Sequence, residues 1–289
     1  MTENEFLLED RIAKIKATVE KYGEDNFCIS FSGGKDSCVL SALVDLALPG
    51  NKIPRVYANT GIDWNVVRDF VLDLQKRDDR VQVIKPTVPI KKMLESEGYP
   101  FKSKKHSEFV GTYQRNGTME GLIGLQHYTH TSTDGKSWSP INSCPKALLY
   151  QFTPDFKLKV SDKCCKRLKE DPINNWQKEH NIPYTMIGLI REEGGRRTSA
   201  NCLAFKGGKL KAFQPLVAVS KAWEDWFIYE YNIRLPELYH EPYNFNRTGC
   251  KGCPFNPDLQ TDLDTIAKFF PRESSVKSYG NPFTMNTDG

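Results

Sequence analysis

The stretch Ser30-Phe31-Ser32-Gly33-Gly34-Lys35-Asp36-Ser37 follows the apolar run Phe27-Cys28-Ile29 and precedes Cys38-Val39-Leu40, so it reads as the join between a strand and a helix. Two glycines let the backbone turn tightly and bring its N–H groups against an anion. The positive end of the following helix dipole and the Lys35 ammonium favour phosphate at such a turn. The hydroxyls of Ser32 and Ser37 can donate further hydrogen bonds. The Walker pattern G-x-x-x-x-G-K-[ST] is absent. A tight βα turn with a capping serine has the same local appearance, so the loop by itself leaves both readings open.

Outward from the loop, strands and helices alternate. Residues 5–22 place Phe6, Leu7, Ile12, Ile15, Ala17 and Val19 at helical spacing among charges. Strands are expected at 27–31, 55–58 and 81–84, and helices at 36–47, 64–76 and 90–97. This alternation predicts an α/β fold, a doubly wound, mostly parallel sheet with helices on both faces. Ligands of such sheets sit at the carboxyl ends of the strands.

From 98 to 160 the period is lost among Gly, Thr, Ser, Asn and His, which predicts irregular structure, a lid or an insertion. Alternation resumes with a helix over 162–180 and a strand over 184–188. A hairpin follows, joining 202–205 to 210–213 through Gly207-Gly208, and Ser220 caps a helix running to Tyr231. The expected organisation is a phosphate-loop half at 1–97, the irregular segment at 98–160, a second half of the same domain at 161–272, and a flexible polar tail at 273–289.

The chain has 289 residues, of which 39% are hydrophobic, enough for a substantial core. Forty Lys and Arg against 36 Asp and Glu give a net charge of +4, too small an excess to name a nucleic-acid partner. No apolar stretch of about 18 residues is present, which excludes an ordinary membrane span. The charged N-terminus has no signal-peptide core, so a cytoplasmic location is expected. Nothing in the sequence specifies an oligomeric state.

In a reducing compartment the eight cysteines are not a disulfide framework. Cys164-Cys165 and the Cys250-Lys251-Gly252-Cys253 turn together offer four thiolates, which suit iron in a four-iron four-sulfur cluster; zinc also fits such a set. Adjacent side chains on a helix point about 100° apart, so the pair is an awkward set of ligands except at a helix end. Cys28, Cys38 and Cys202 read as core thiols. Cys144, in Asn142-Ser143-Cys144-Pro145, reads as a substitute ligand or a reactive thiol.

The run Ser32-Gly33-Gly34-Lys35-Asp36-Ser37 resembles the PP-loop of the ATP-pyrophosphatase superfamily, of adenine nucleotide alpha hydrolase-like fold. Ile187-Gly188-Leu189-Ile190-Arg191-Glu192-Glu193-Gly194-Gly195-Arg196-Arg197 is similar to the arginine element of the phosphoadenosine phosphosulfate (PAPS) reductase family, with altered spacing. The family's order continues in Phe213-Gln214-Pro215-Leu216, the helix around Trp223 and Trp226, Asn232 to Tyr239, and Gly249 to Pro254. Cys164-Cys165 and the Leu168-Lys169 that follows resemble the pattern of its iron–sulfur members, and 84 residues separate Cys165 from Cys250, close to the gap in adenylyl-sulfate reductases. The resemblance spans roughly residues 20–258.

This resemblance implies that Ser30, Ser32, Gly33, Gly34, Lys35, Asp36 and Ser37 hold the phosphates of a nucleotide, with Lys35, Asp36 and Arg191 in catalytic roles. Thr60 and Gly61 fall at the ribose and base edge. Gly188, Arg191, Glu193, Arg196 and Arg197 form an anion-binding turn, since guanidinium forks match phosphate or sulfate oxygens. Cys164, Cys165, Cys250 and Cys253 are the implied cluster ligands, and ATP, or APS or PAPS, with Mg²⁺ are the implied cofactors. Sulfonucleotide reductases attack sulfur with a C-terminal cysteine, and this sequence has none after Cys253. Its loop also keeps the Gly-Gly-Lys form used on ATP. The expected activity is therefore α–β cleavage of ATP with adenylation of a substrate during iron–sulfur-assisted sulfur transfer, as in DNA phosphorothioation and tRNA thiolation. A cysteine desulfurase as sulfur donor and a nucleic acid as acceptor are the implied partners. The alternatives are a sulfonucleotide reductase using a thiol such as Cys144, and a non-catalytic nucleotide- or cluster-sensing module. The basic runs Lys102 to His106 and Lys206 to Lys211 can meet phosphodiesters or be solvated faces; His127 and His130 are the histidines that stand out.

Overall fold

The computed structural model describes residues 1–136, 138–193 and 198–270. Its described residues divide into two compact units, one formed by 1–87 with 169–251 and the other by 88–168 with 252 onward.

The first unit holds the sheet. Its strands are β1 (Phe27–Ser30), β2 (Arg55–Ala58), β3 (Val81–Ile84), β4 (Tyr184–Met186), β5 (Leu203–Lys206) and β6 (Lys209–Phe213), in the spatial order β3-β2-β1-β4-β6-β5. Every pairing is parallel except the β5–β6 hairpin at the edge. Gly207 and Gly208 turn that hairpin at φ 58° and 75°, which a side chain would resist. This is the doubly wound sheet expected from the alternation.

Strand periodicity sorts the two faces. On one, Phe27 and Ile29 of β1 and Tyr57 of β2 pack against α1 (Glu3–Tyr22), α2 (Lys35–Ala47), α3 (Asn65–Arg77) and α8 (Lys221–Glu230). On the other, Cys28 and Val56 meet Trp176 of α7 (Asp171–Glu179) and Ile182. Arg55 is 1% exposed, yet its guanidinium is met by Asp45 at 2.6 Å and Asn51 at 2.9 Å, the pairing a buried charge requires. Helix α1 begins with a capping box, in which Thr2 and Glu5 satisfy each other's backbone N–H groups.

The second unit corrects the expectation of irregular structure over 98–160. It contains α4 (Ile90–Glu97), α5 (Lys104–Asn116), α6 (Ile123–Thr129) and, after the CxxC turn, α9 (Leu259–Phe269). A separate core gathers Val110, Tyr113, Leu125, Tyr128, Cys144, Phe152 and Val160. Aromatic side chains supply the packing that Gly, Thr and Ser obscure in the sequence pattern. His106 is fully buried there, its ring nitrogens 2.9 Å from the Tyr128 hydroxyl and 2.8 Å from Gln151 Oε1, and burial lowers its pKa. His127 pairs with Asp134 at 2.8 Å, and His130 ends α6 in the left-handed conformation, so both keep surface or turn roles.

The helix expected over 162–180 is helical from Cys164, with a π turn over Lys166–Glu170 leading into α7. The tail from 271 lies outside the described residues. No described helix is long and apolar enough to cross a membrane.

Candidate nucleotide site

β1 ends at Ser30, and the chain turns through Phe31, Ser32 and Gly33 to enter α2, whose N-cap is Gly34. Gly33 stands at φ +70°, where a Cβ would also strike Val71 Cγ2 at 2.8 Å, so both conformation and space exclude a side chain. Ser37, on the first turn of α2, ties the loop together. It accepts the Ser32 N–H at 3.2 Å, lies 3.1 Å from the Ser32 hydroxyl and donates to the Gly34 carbonyl at 2.8 Å.

A second strand end packs against this loop. Gly188 follows β4, and a Cβ on it would fall 2.6 Å from the Asp36 carbonyl oxygen. Glycine is thus what lets β4 run alongside the start of α2. Asp36 lies half-buried next to this contact.

Tyr239 carries no local sequence signal, yet its hydroxyl accepts the Lys35 backbone N–H at 3.0 Å and the Thr248 N–H at 3.2 Å. It also lies 2.9 Å from the Thr248 hydroxyl. Burial is the main cause that pushes this phenol up to about 12, so it stays protonated. Its oxygen occupies a donor at the α2 N-terminus that an anion would use. The Lys35 ammonium lies 3.0 Å from Asp225 of α8 and 5.8 Å from the centre of the Tyr239 ring. Glu224, beside Asp225, is 3% exposed. Glu224, Asp225 and Tyr239 were signalled only by the family's segment order, Thr248 lies outside those segments, and no composition or period marks any of them.

Thr60 and Gly61 form the turn after β2, but the Thr60 hydroxyl and N–H both donate to Asp63, at 2.9 and 2.8 Å. That hydroxyl therefore shapes its own turn. Arg191 is exposed and donates to the Ala200 carbonyl at 2.9 Å. Glu193 closes the same short 3₁₀ turn, while Arg196 and Arg197 lie outside the described residues. The exposed lysines 206, 209 and 211 flank the hairpin turn, whereas Lys105 lies against Trp138, 3.7 Å from the ring centre, and donates to the Asn142 carbonyl.

The cysteines sort by burial. Burial pushes the Cys28 thiol up to about 12 and Cys144 to about 11, and drives Cys38 higher still; Cys202 is raised in the same direction. Cys144, only 4% exposed within the second unit's core, is a packed thiol whose burial disfavours the thiolate. Cys164, Cys165, Cys250 and Cys253 are instead half-buried. The first two open the helical run at 164, and Cys250 pairs as a bridge with Asp63. Their softness and partial exposure fit iron or zinc as donors. Among the described residues, no three His, Cys, Asp or Glu side chains are grouped as a metal site.

Several solved structures are similar to this chain. A phosphoadenylyl-sulfate (PAPS) reductase from Candida auris, in phosphate complex, is 10% identical with a TM-score of 0.49, covering 86% of this chain and 96% of that one. An NH3-dependent NAD synthetase from Campylobacter jejuni, with nitrate, is 11% identical with a TM-score of 0.43, covering 98% and 90%. The U34-tRNA thiolase NcsA from Methanococcus maripaludis, with its four-iron four-sulfur cluster, is 14% identical with a TM-score of 0.42, covering 95% and 79%. A comparison with curated proteins finds no match. The sequence model of the phosphoadenosine phosphosulfate reductase domain matches residues 104–256, which begin after the phosphate loop and include both cysteine elements and the Arg191 turn. That match takes in more than half of the chain, and the chain belongs to the phosphoadenosine phosphosulfate reductase domain family.

Proposed function

We propose that this protein binds ATP on the loop Ser32 to Ser37 and cleaves it between the α and β phosphates, transferring AMP to a substrate oxygen that sulfur then replaces. One observation carries the reading: a Gly-Gly turn at the carboxyl end of β1 feeds the N-terminus of α2, with Gly188 packed against it. Backbone N–H groups there favour phosphate, and the Lys35 ammonium reaches it by leaving Asp225. Asp36 orients the leaving side of the nucleotide, and the guanidinium forks of Arg191, Arg196 and Arg197 take the remaining anionic oxygens, with Glu193 fixing one fork in place. The turn at Thr60 and Gly61 borders the ribose. Ser30 closes the strand end beneath the phosphates.

Cys164, Cys165, Cys250 and Cys253 are the residues that would hold a four-iron four-sulfur cluster, in keeping with their donor chemistry. When bound, the cluster supplies a site for delivering or holding sulfur. Mg²⁺ accompanies the nucleotide phosphates. A cysteine desulfurase is the class of donor such a reaction needs. The exposed lysines of the β5–β6 turn suit a phosphodiester acceptor.

The family name favours a second reading, reduction of a sulfonucleotide to sulfite. It requires a thiol able to attack, and burial, which raises the Cys144 thiol to about 11, weighs against that residue in the role. The third reading, a sensing module, binds nucleotide and turns over neither substrate. Anaerobic protein incubated with ATP and Mg²⁺ separates the three. Release of pyrophosphate supports the first; no pyrophosphate, with sulfite formed from a sulfonucleotide and a reductant, defeats it. A colourless protein carrying stoichiometric zinc would remove the cluster from the proposal.

A further inference from the structure

Glu224 is an acid in the wrong place for a charge. It lies on α8 at 3% exposure, and its Oε1 is buried with no hydrogen-bond partner. Four residues earlier, Ser220 caps the helix through the Trp223 N–H, so the first turn of α8 gives its donors elsewhere. Helix α8 packs on α2, the helix that begins at the phosphate loop. The charges facing Glu224 are Lys35 and Asp36 from α2 and Lys221 and Asp225 from its own helix; the Cys38 thiol on α2 senses it as well.

A buried carboxylate with one oxygen left without a donor, set beside two other carboxylates that offset the two nearby ammonium groups, is disfavoured against its neutral form. We propose that Glu224 keeps a proton beneath the phosphate loop and that this proton is what lets the loop accept an anionic nucleotide, making nucleotide binding proton-linked. The inference rests on the nucleotide reading above. Burial first, then the charge of Asp36, raise this carboxyl to about 8, with Lys35 opposing, so the proton is held at neutrality and lost in mild alkali. Once it is lost, a third negative charge faces the incoming phosphates beside Asp36 and Asp225. Glu224 touches no reacting atom in this scheme; it is a positioning residue that sets the charge of the loop through α2.

The test measures ATP affinity by calorimetry from about pH 7 to about pH 9.5, where the phosphates of ATP are already ionised, for the wild type and Glu224→Gln. Wild-type affinity should fall by up to about tenfold per pH unit above about 8, the slope of a one-proton linkage, and binding near pH 8 should take up a proton in two buffers of different ionisation enthalpy. Glu224→Gln, permanently neutral and of the same shape, should bind at the upper end within about twofold of its neutral affinity and take up no proton. Parallel loss of affinity in both proteins, or no proton uptake by the wild type, overturns the inference. Absence of ATP binding by both at neutral pH would defeat the nucleotide reading itself and the inference with it. The proton-uptake measurement needs no variant, so it decides even if Glu224→Gln does not fold.

Discussion

The Tyr239 hydroxyl accepts the Lys35 backbone N–H at 3.0 Å, so a side chain from a distant segment holds a donor of the phosphate loop. An incoming phosphate oxygen competes with that hydroxyl for the same N–H. Tyr239→Phe leaves the Lys35 and Thr248 N–H groups without this acceptor, which costs about 1–2 kcal/mol. ATP can then satisfy the Lys35 N–H, so its stabilising effect should be larger in the variant than in the wild type. Denaturant melts with and without ATP check this; an equal or smaller shift would show that the hydroxyl does not stand in the anion's place.

Gly188→Ala is expected to damage the loop from the strand beside it. The added Cβ would meet backbone atoms of Asp36 at 2.6 and 2.8 Å, and backbone cannot swing aside as a flexible side chain can. The cost is about 1–3 kcal/mol, with ATP affinity falling further than the urea midpoint predicts. Gly50→Ala, outside the proposed site, is the control. It has open space around its Cβ and only the strain of φ +78°, about 1 kcal/mol, so its melting loss should come without a comparable loss of ATP affinity.

Asp225 competes with phosphate for Lys35. The two ends are 25% and 63% exposed, so the pair contributes at most about 1 kcal/mol. Asp225→Asn should therefore raise ATP affinity by up to about fivefold at low salt, with the gain fading as salt screens the pair. Titration at two ionic strengths reads it, and a loss of affinity would mean that Asp225 serves the bound nucleotide.

Stability should fall as pH rises from about 4.5 to about 8, because the Glu224 carboxyl keeps its proton in the folded chain while the unfolded chain has lost it at the ordinary 4.5. The contribution is fully present below 4.5 and lost by the time pH passes 8. Glu224→Gln should flatten that part of the profile, seen as a melting gain that is larger at pH 8 than at pH 5. An unchanged slope would place the lost proton on another group.

Thiol chemistry separates packed cysteines from proposed ligands. With Cys28 at about 12 and Cys144 at about 11, alkylation of metal-free protein at neutral pH should spare both, while Cys164, Cys165, Cys250 and Cys253 react first. Peptide mass spectrometry reads the order. Early labelling of Cys144 would restore it as a reactive thiol.

The fold was legible from Phe27 to Ile84 because strand runs, the Gly-Gly turn and amphipathic helices all agree there, and the same holds for the hairpin at Gly207-Gly208. It was not legible from 98 to 160, where buried His106, Tyr128 and Phe152 organise a core through contacts distant in sequence. The loop residues Ser32 to Ser37 were readable as local chemistry. Tyr239, Glu224 and Asp225 were not, since what brings them to Lys35 is the packing of α8 and the segment after it against α2. The burial of Cys144 was not legible for the same reason: it depends on Tyr128 and Phe152, which no spacing reveals.

On the proposed function, ATP is cut between its α and β phosphates on the loop that carries Lys35. Phosphorus NMR of ATP and Mg²⁺ with anaerobically purified protein tests it most directly, with Lys35→Ala alongside. AMP and pyrophosphate are expected from the wild type and unchanged ATP from the variant. ADP and inorganic phosphate from the wild type, or AMP and pyrophosphate from both proteins, would contradict it.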